Sequence, residues 1–238
     1  MKSRKIMRGI ARFSLLSTAV IVRQLPDRIP VHYDAAGNID RWGSRYESLV
    51  FPVIIVLLAL FWTRFIRYFE KKAAGAVDEK TGAAALSNAK VFGITGVRTT
   101  AMFTVMQAFV LYGAYSGAVS GADSWTVDIG KVSAILMGIL IIVLGNYMTK
   151  SRMNSVIGFR TGWSMYNDNT WRESNRFASR ALMAAGALTV ITALLVKNSL
   201  ASTLAMLVYL GAATAVSMVK SHGIYLREKG SDERDEER

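Results

Sequence analysis

Long apolar blocks, each bounded by charged residues, constrain this chain more than any other feature of it. A bilayer's hydrocarbon core is about 30 Å thick and needs about 20 mostly apolar residues per helical crossing. Inside it, every backbone polar group must be satisfied within the protein. The blocks therefore predict an all-α polytopic membrane protein with six transmembrane helices, at 13–22, 49–65, 99–119, 132–148, 181–196 and 200–219. The first block reaches spanning length only if residues from Met7 onward join it, with Arg8 and Arg12 extending to the surface. A signal peptide is the rival there, but no small-x-small cleavage site follows, so an uncleaved helix is expected. Pro52 sits in the first turn of the second span, where a missing N–H costs little. Trp62 and Phe65 are expected near that span's far interface.

Charge orients these spans. Lys and Arg number 29 against 17 Asp and Glu. The basic residues flank apolar blocks instead of forming a separate domain, which argues against direct nucleic-acid binding. The N-terminus, the second and fourth loops and the tail hold 23 of the 29, and the first, third and fifth loops hold the other six. By the positive-inside rule both termini are cytoplasmic, the loop 24–47 is extracytoplasmic and the loop 150–180 is cytoplasmic. Three regions follow: 1–90 with the first two spans, that outer loop and a cytoplasmic connector; 91–219 with four spans around the 150–180 loop; and a charged tail, 220–238. The connector is polar and Gly/Ala-rich, expected to prolong the second helix briefly before a flexible piece. The tail has nothing apolar to bury and reads as disordered.

The outer loop, QLPDRIPVHYDAAGNIDRWGSRYE, holds two of the chain's three prolines and a turn cluster at 34–38. Residues 29–33 and 38–42 are expected to pair as a short hairpin across that turn. His32 with Asp27, Asp34 and Asp40 has two readings: a metal-binding or pH-sensing group, or a histidine satisfied in the hairpin beside turn-forming aspartates. The second is preferred, since spacing alone does not gather the carboxylates around the ring, and no metal site is assigned.

The inner loop reads KSRMNSVIGFRTGWSMYNDNTWRESNRFASR. Residues 154–161 mix a turn former, apolar residues, a glycine and an arginine, which suits a segment folded back at the membrane surface. Thr170 with Glu173 three residues on predicts a capping box, so that Trp171 opens the next helix. Arg160 and Arg176 contact either lipid phosphate or a carboxylate held by a planar fork. Trp163 and Trp171 are either an interfacial belt or a docking surface. Gln107 and Asn146 lie at or near membrane depth, where an interhelical hydrogen bond is the common use.

Catalysis has little to stand on. Only His32 and His222 carry side chains of a type that could act as a base near neutral pH, cysteine is absent, and the chain has no serine elbow, HExxH or Walker loop. No catalytic residue and no cofactor is assigned.

Asn154, Ile157, Gly158, Arg160, Thr161, Trp163, Trp171, Asn175 and Arg176 together resemble the signature of the SdpI-type family, immunity proteins for a bacterial sporulation-delaying toxin. Gly162 departs from that pattern, where many members carry proline. Leu25, Pro26, Asp27, Ile29, Pro30, His32, Gly37 and Asp40 resemble a small domain of unknown function that often precedes the signature. The resemblance implies a multi-pass protein of the bacterial cell membrane that gives resistance to a secreted peptide toxin. It also implies a cytoplasmic winged-helix repressor held at the membrane, which makes Asn154, Gly158, Arg160, Thr161, Trp163, Trp171, Asn175 and Arg176 a partner-binding set. A small transporter and a non-catalytic assembly protein are the other classes the surfaces allow. A transporter calls for broken helices and related halves, which the chain does not clearly display.

Overall fold

The structure, a computed structural model, describes residues 2–34, 39–120, 128–154 and 156–236. Among these, six helices run α1 Lys2–Ile21, α2 Val50–Ala74, α3 Glu79–Ser120, α4 Ile129–Met148, α5 Asp168–Leu195 and α6 Ser199–Glu236, with strands β1 Arg28–Tyr33 and β2 Ile39–Ser44 between the first two. Five spans are long and apolar enough to cross a bilayer: Arg45–Ala74, Glu79–Val119, Gly130–Met148, Asp168–Leu195 and Ser199–Arg234. The remaining helix, α1, carries Lys2, Arg4, Lys5, Arg8 and Arg12 ahead of an apolar half whose Phe13, Leu16 and Val20 face outward. Its inward face, Met7, Ala11, Ser14 and Thr18, repeats at helical spacing and packs on α2 and α3.

The helices form two groups of three. In the first, Met7 and Ala11 of α1, Ile55, Ala59, Ile66 and Phe69 of α2, and Ala85, Ala89 and Phe92 of α3 make one core. Phe92 stacks on Phe65 and Phe69, with ring centroids 5.8 and 5.1 Å apart. Gln107, 3% exposed, bonds across to Ser14 and Thr18 of α1, so this amide at membrane depth joins helices. The second group joins α4, α5 and α6, and the two groups meet chiefly where α3 passes α4. Glycine makes the closest approach possible: a Cβ on Gly138 of α4 would lie 2.8 Å from the Gly186 carbonyl of α5, and one on Gly186 would lie 2.6 Å from the Gly138 carbonyl. The backbones are in contact there, as packing of small residues in membranes allows.

One end of the bundle carries the hairpin. β1 pairs antiparallel with β2, with Arg28 opposite Ser44 and Pro30 opposite Trp42, then an irregularity at His32. Ile29 is buried with Val22, Leu25, Leu111 and Ala114, which ties the hairpin to α3. A Ser44–Glu47 capping box starts a 3-10 turn, Arg45–Leu49, that leads into α2. Arg45 donates to the Leu25 carbonyl at 3.0 Å and lies 3.4 Å from Asp27, closing the base of the hairpin. At the opposite end stand the start of α1, the end of α2, the loop after α4 and the last turns of α6. Arg4 of α1 meets Glu70 of α2 there at 3.1 Å.

α2 is prolonged into the connector as expected, past Arg64, Arg67, Lys71 and Lys72 to Ala74, because these stay exposed while Ile66 and Phe69 face the core. Trp62 lies inward, its ring 6.1 Å from that of Phe92. Other expectations change. The flexible connector is replaced by helix from Glu79. The Asp78 carboxylate accepts the Thr81 N–H at 2.7 Å and starts α3, and its bonds to the Thr81 hydroxyl and N–H hold that carboxyl below its ordinary range. Ala85 and Ala89 then bury against α2. The tail is no disordered segment through 236: α6 continues as helix, tied to α5 by Arg227–Glu173 at 2.6 Å and Asn169–Glu228 at 2.7 Å.

Candidate functional site

The loop between α4 and α5 folds around its own side chains. Asn154 makes an Asx turn, its Oδ1 accepting the N–H groups of Val156 and Ile157 at 2.8 Å each, while its Nδ2 donates to the carbonyls of Arg152 and Ile157 at 2.7 and 3.0 Å. Gly158 follows at φ +132°, a backbone region that L side chains rarely adopt. A Cβ there would also sit 2.6 Å from the Trp171 ring and 2.8 Å from Asn175 Oδ1. Asn175, 2% exposed, accepts the Phe159 N–H at 2.7 Å and donates to the Trp171 carbonyl at 3.0 Å. Trp171, 3% exposed, donates its indole N–H to the Ser151 carbonyl at 3.1 Å.

A second knot secures the next turn. Ser164 accepts the Thr161 N–H at 2.8 Å and donates to the Phe159 carbonyl at 2.8 Å, and Thr161 Oγ1 accepts the Ser164 N–H at 3.0 Å. Thr161 also meets Ser221 of α6 at 3.4 Å, and Ser221 meets Ser174 of α5 at 3.0 Å. The cap of α5 lies three residues before the expected one. Asn167 accepts the N–H groups of Asn169 and Thr170 at 3.0 and 2.8 Å, and the Thr170 hydroxyl accepts the Asn167 N–H at 2.9 Å. Thr170 thus closes the capping box from its third position, and Glu173 is released to pair with Arg227.

The eight inner-loop residues therefore divide in two. Asn154, Gly158, Thr161, Trp171 and Asn175 build the loop and hold it to α5 and α6, and Trp171 belongs neither to an interfacial belt nor to an open surface. Arg160 and Arg176 are exposed, and Trp163 is half-buried with its ring 4.5 Å from that of His222. Arg172, Arg176 and Arg180, four residues apart, line one exposed face at the start of α5. The loop also reaches the first helix group: Asn88 of α3 accepts the Arg152 N–H at 3.0 Å, and Ser87 donates to the Lys150 carbonyl at 3.4 Å. Ser151, Ser164, Ser174 and Ser221 escaped the sequence reading. Only the Thr161-x-x-Ser164 spacing, that of a hydroxyl-closed turn, could have pointed to one of them.

At the hairpin end, His32 Nδ1 lies 2.6 Å from Asp40 Oδ1, and both side chains are largely exposed. Asp27 turns instead to Arg45. Pro30 packs beside Gly117 of α3, where a Cβ would lie 3.0 Å from the proline ring. Pro26 lies between α1 and β1, and Gly37 falls outside the described residues. Among the described residues, no group of three or more His, Asp or Glu stands close enough to hold a metal ion. Asn146 is exposed near the end of α4.

The SdpI/YfhL protein family model matches residues 150–221, the motif loop with α5 and the first part of α6. A domain of unknown function, DUF1648, matches residues 9–56, covering most of α1, the hairpin and the start of α2. The chain is 22% identical over 232 residues to "Immunity protein SdpI" of Bacillus subtilis (strain 168), covering 97% of this chain and 100% of that protein. An uncharacterized protein of Archaeoglobus fulgidus is 30% identical over 76 residues, 26% of this chain and 42% of that protein. No solved structure matches. With a signature loop built from residues that the SdpI/YfhL family model matches and helices long enough to cross a bilayer, the chain is a multi-pass cell-membrane protein whose residues 150–221 are similar to the SdpI/YfhL protein family.

Proposed function

We propose that this protein confers immunity to a secreted peptide toxin, with the hairpin facing outward and the motif loop facing the cytoplasm. The observation that carries the reading is the end-to-end similarity to an immunity protein, 97% of this chain against 100% of that one. The charge distribution sets the orientation, since the segments gathered at the loop end hold most of the Lys and Arg. On the inner face, the buried framework holds the backbone on either side of Arg160, at Phe159 and Thr161, and α5 carries an exposed basic face of Arg172, Arg176 and Arg180. Such a surface suits a cytoplasmic partner with an acidic patch, and the winged-helix repressor implied by the family signature is the partner proposed here.

Expression in a toxin-sensitive Bacillus strain tests the first part: growth in sporulation-delaying peptide should be restored, and unchanged sensitivity at verified membrane abundance refutes immunity. For the second part, Arg160→Lys keeps the charge and loses the planar fork. It should reduce peptide-dependent membrane retention of the repressor at least tenfold and leave protection intact. Wild-type retention by Arg160→Lys would show that this arginine serves orientation alone.

A further inference from the structure

Beneath the hairpin, at the end away from the motif loop, lies a cavity of about 720 Å³. That is within the size range of sites for small ligands and peptide side chains. Its apolar walls include Phe51 of α2, Met106 and Val110 of α3, and Ser133 of α4 and Ser199 of α6 also line it. Both helix groups therefore contribute. Gln107 also lines it, its amide already committed to α1. The hairpin above is fastened by Ile29 and by Arg45, so the space is preformed.

The charged lining has a definite sign. Asp34, Glu47 and Asp128 supply three carboxylates against one guanidinium, Arg41, which pairs with Glu47 at 2.9 Å. The mouth is thus formally acidic in a chain whose net charge is +12. An acidic mouth disfavours the phosphate of an anionic lipid and favours a cationic group.

We propose that this cavity receives the secreted peptide, taking a short run of its apolar side chains while a cationic group of the same peptide meets the acidic rim. The assignment rests on the immunity reading and adds the place of contact to it. Hydrophobic burial supplies the affinity and the rim carboxylates select charge and orientation. Because the walls come from both helix groups, an occupant also bridges the seam between them.

The absence of cysteine makes the test direct, since Ser133→Cys provides a single thiol in the cavity wall. In protein reconstituted into lipid nanodiscs, a water-soluble maleimide should label Ser133→Cys. Saturating sporulation-delaying peptide should slow that labelling at least tenfold, while labelling of Val77→Cys, fully exposed at the opposite end, stays constant. In sensitive cells, Val110→Trp from α3 and Ser133→Trp from α4 fill the cavity and should each raise sensitivity to the peptide at least tenfold at wild-type membrane abundance. Asp34→Lys should do the same from the rim without disturbing the walls. A thiol at 133 that maleimide cannot reach, as lipid chains in the cavity would cause, overturns the proposal. So does labelling that the peptide leaves unchanged, or full protection by both tryptophan variants. Those results leave immunity standing wherever the wild type protects, whereas a wild type that gives no protection removes both readings.

Discussion

Gly158→Ala is the sharpest probe of the loop framework, because two separate costs fall on one methyl group. At φ +132° an alanine incurs backbone strain of about 1–3 kcal/mol. Its Cβ would also stand 2.6 Å from the Trp171 ring and 2.8 Å from Asn175 Oδ1. Both neighbours are fixed by their own hydrogen bonds, so overpacking adds about 1–3 kcal/mol. The combined loss of about 2–6 kcal/mol corresponds to a fall in unfolding temperature of about 5–20 °C for a chain of this size. Thermal unfolding of detergent-solubilised protein, followed by size-exclusion chromatography of a fluorescent fusion, reads this directly. Gly162→Ala is the matched control in the same loop: nothing lies within 4 Å of its Cβ position and its φ is not in the strained range. It should leave the transition within about 4 °C of wild type, since a compatible Gly→Ala change contributes only about 0.4–1 kcal/mol. Equal transitions for the two variants would refute the claim that Gly158 is conformationally required.

Asn175→Leu keeps the side-chain volume but leaves the Phe159 N–H without its acceptor, at a cost of about 1–3 kcal/mol, and the Phe159 amide should exchange with solvent faster; unchanged exchange would refute that role. Gln107→Leu should detach α1 from α3, seen as faster protease cleavage ahead of the hairpin at unchanged insertion, and an unaltered cleavage rate would show that the apolar contacts around Met7 suffice. Amides over 222–234 should be protected in hydrogen exchange, whereas exchange at the random-coil rate would restore the disordered tail. Reporter fusions after Asp34 should signal outside and fusions after Asn167 inside; the opposite pattern would invert the proposed orientation.

Five of the six expected spans were legible because length and apolarity alone decide them, whereas α1, half basic, falls short of that measure; the hairpin was legible because its prolines and turn cluster bracket two short strand-like runs. What escaped depends on partners distant in sequence. Nothing within 220–238 announces that Arg227 meets Glu173 and Glu228 meets Asn169, more than 50 residues away. A tryptophan beside arginines reads as interfacial, yet Trp171 is buried because Gly158 leaves room for its ring and Ser151 accepts its N–H. Asn167 and Thr170 both satisfy a capping pattern. The extended backbone at Asn167, φ −149° and ψ 176°, decides between them.

One face of α6 runs along the motif loop: Ser221 beside Thr161, His222 beside Trp163, Tyr225 beside Tyr166, Glu228 beside Asn169 and Asp232 again beside Tyr166. The same helix begins at Ser199, in the wall of the cavity beneath the hairpin, and continues without interruption to Glu236. A helix of 38 residues at 1.5 Å per residue is a rod of about 57 Å, and a rod transmits torsion. Twisting it at one end by a single residue step, about 100°, would swing every one of those loop contacts off its partner at the other. Smaller twists would strain all of them together, so the angular setting of one helix is shared by two compartments.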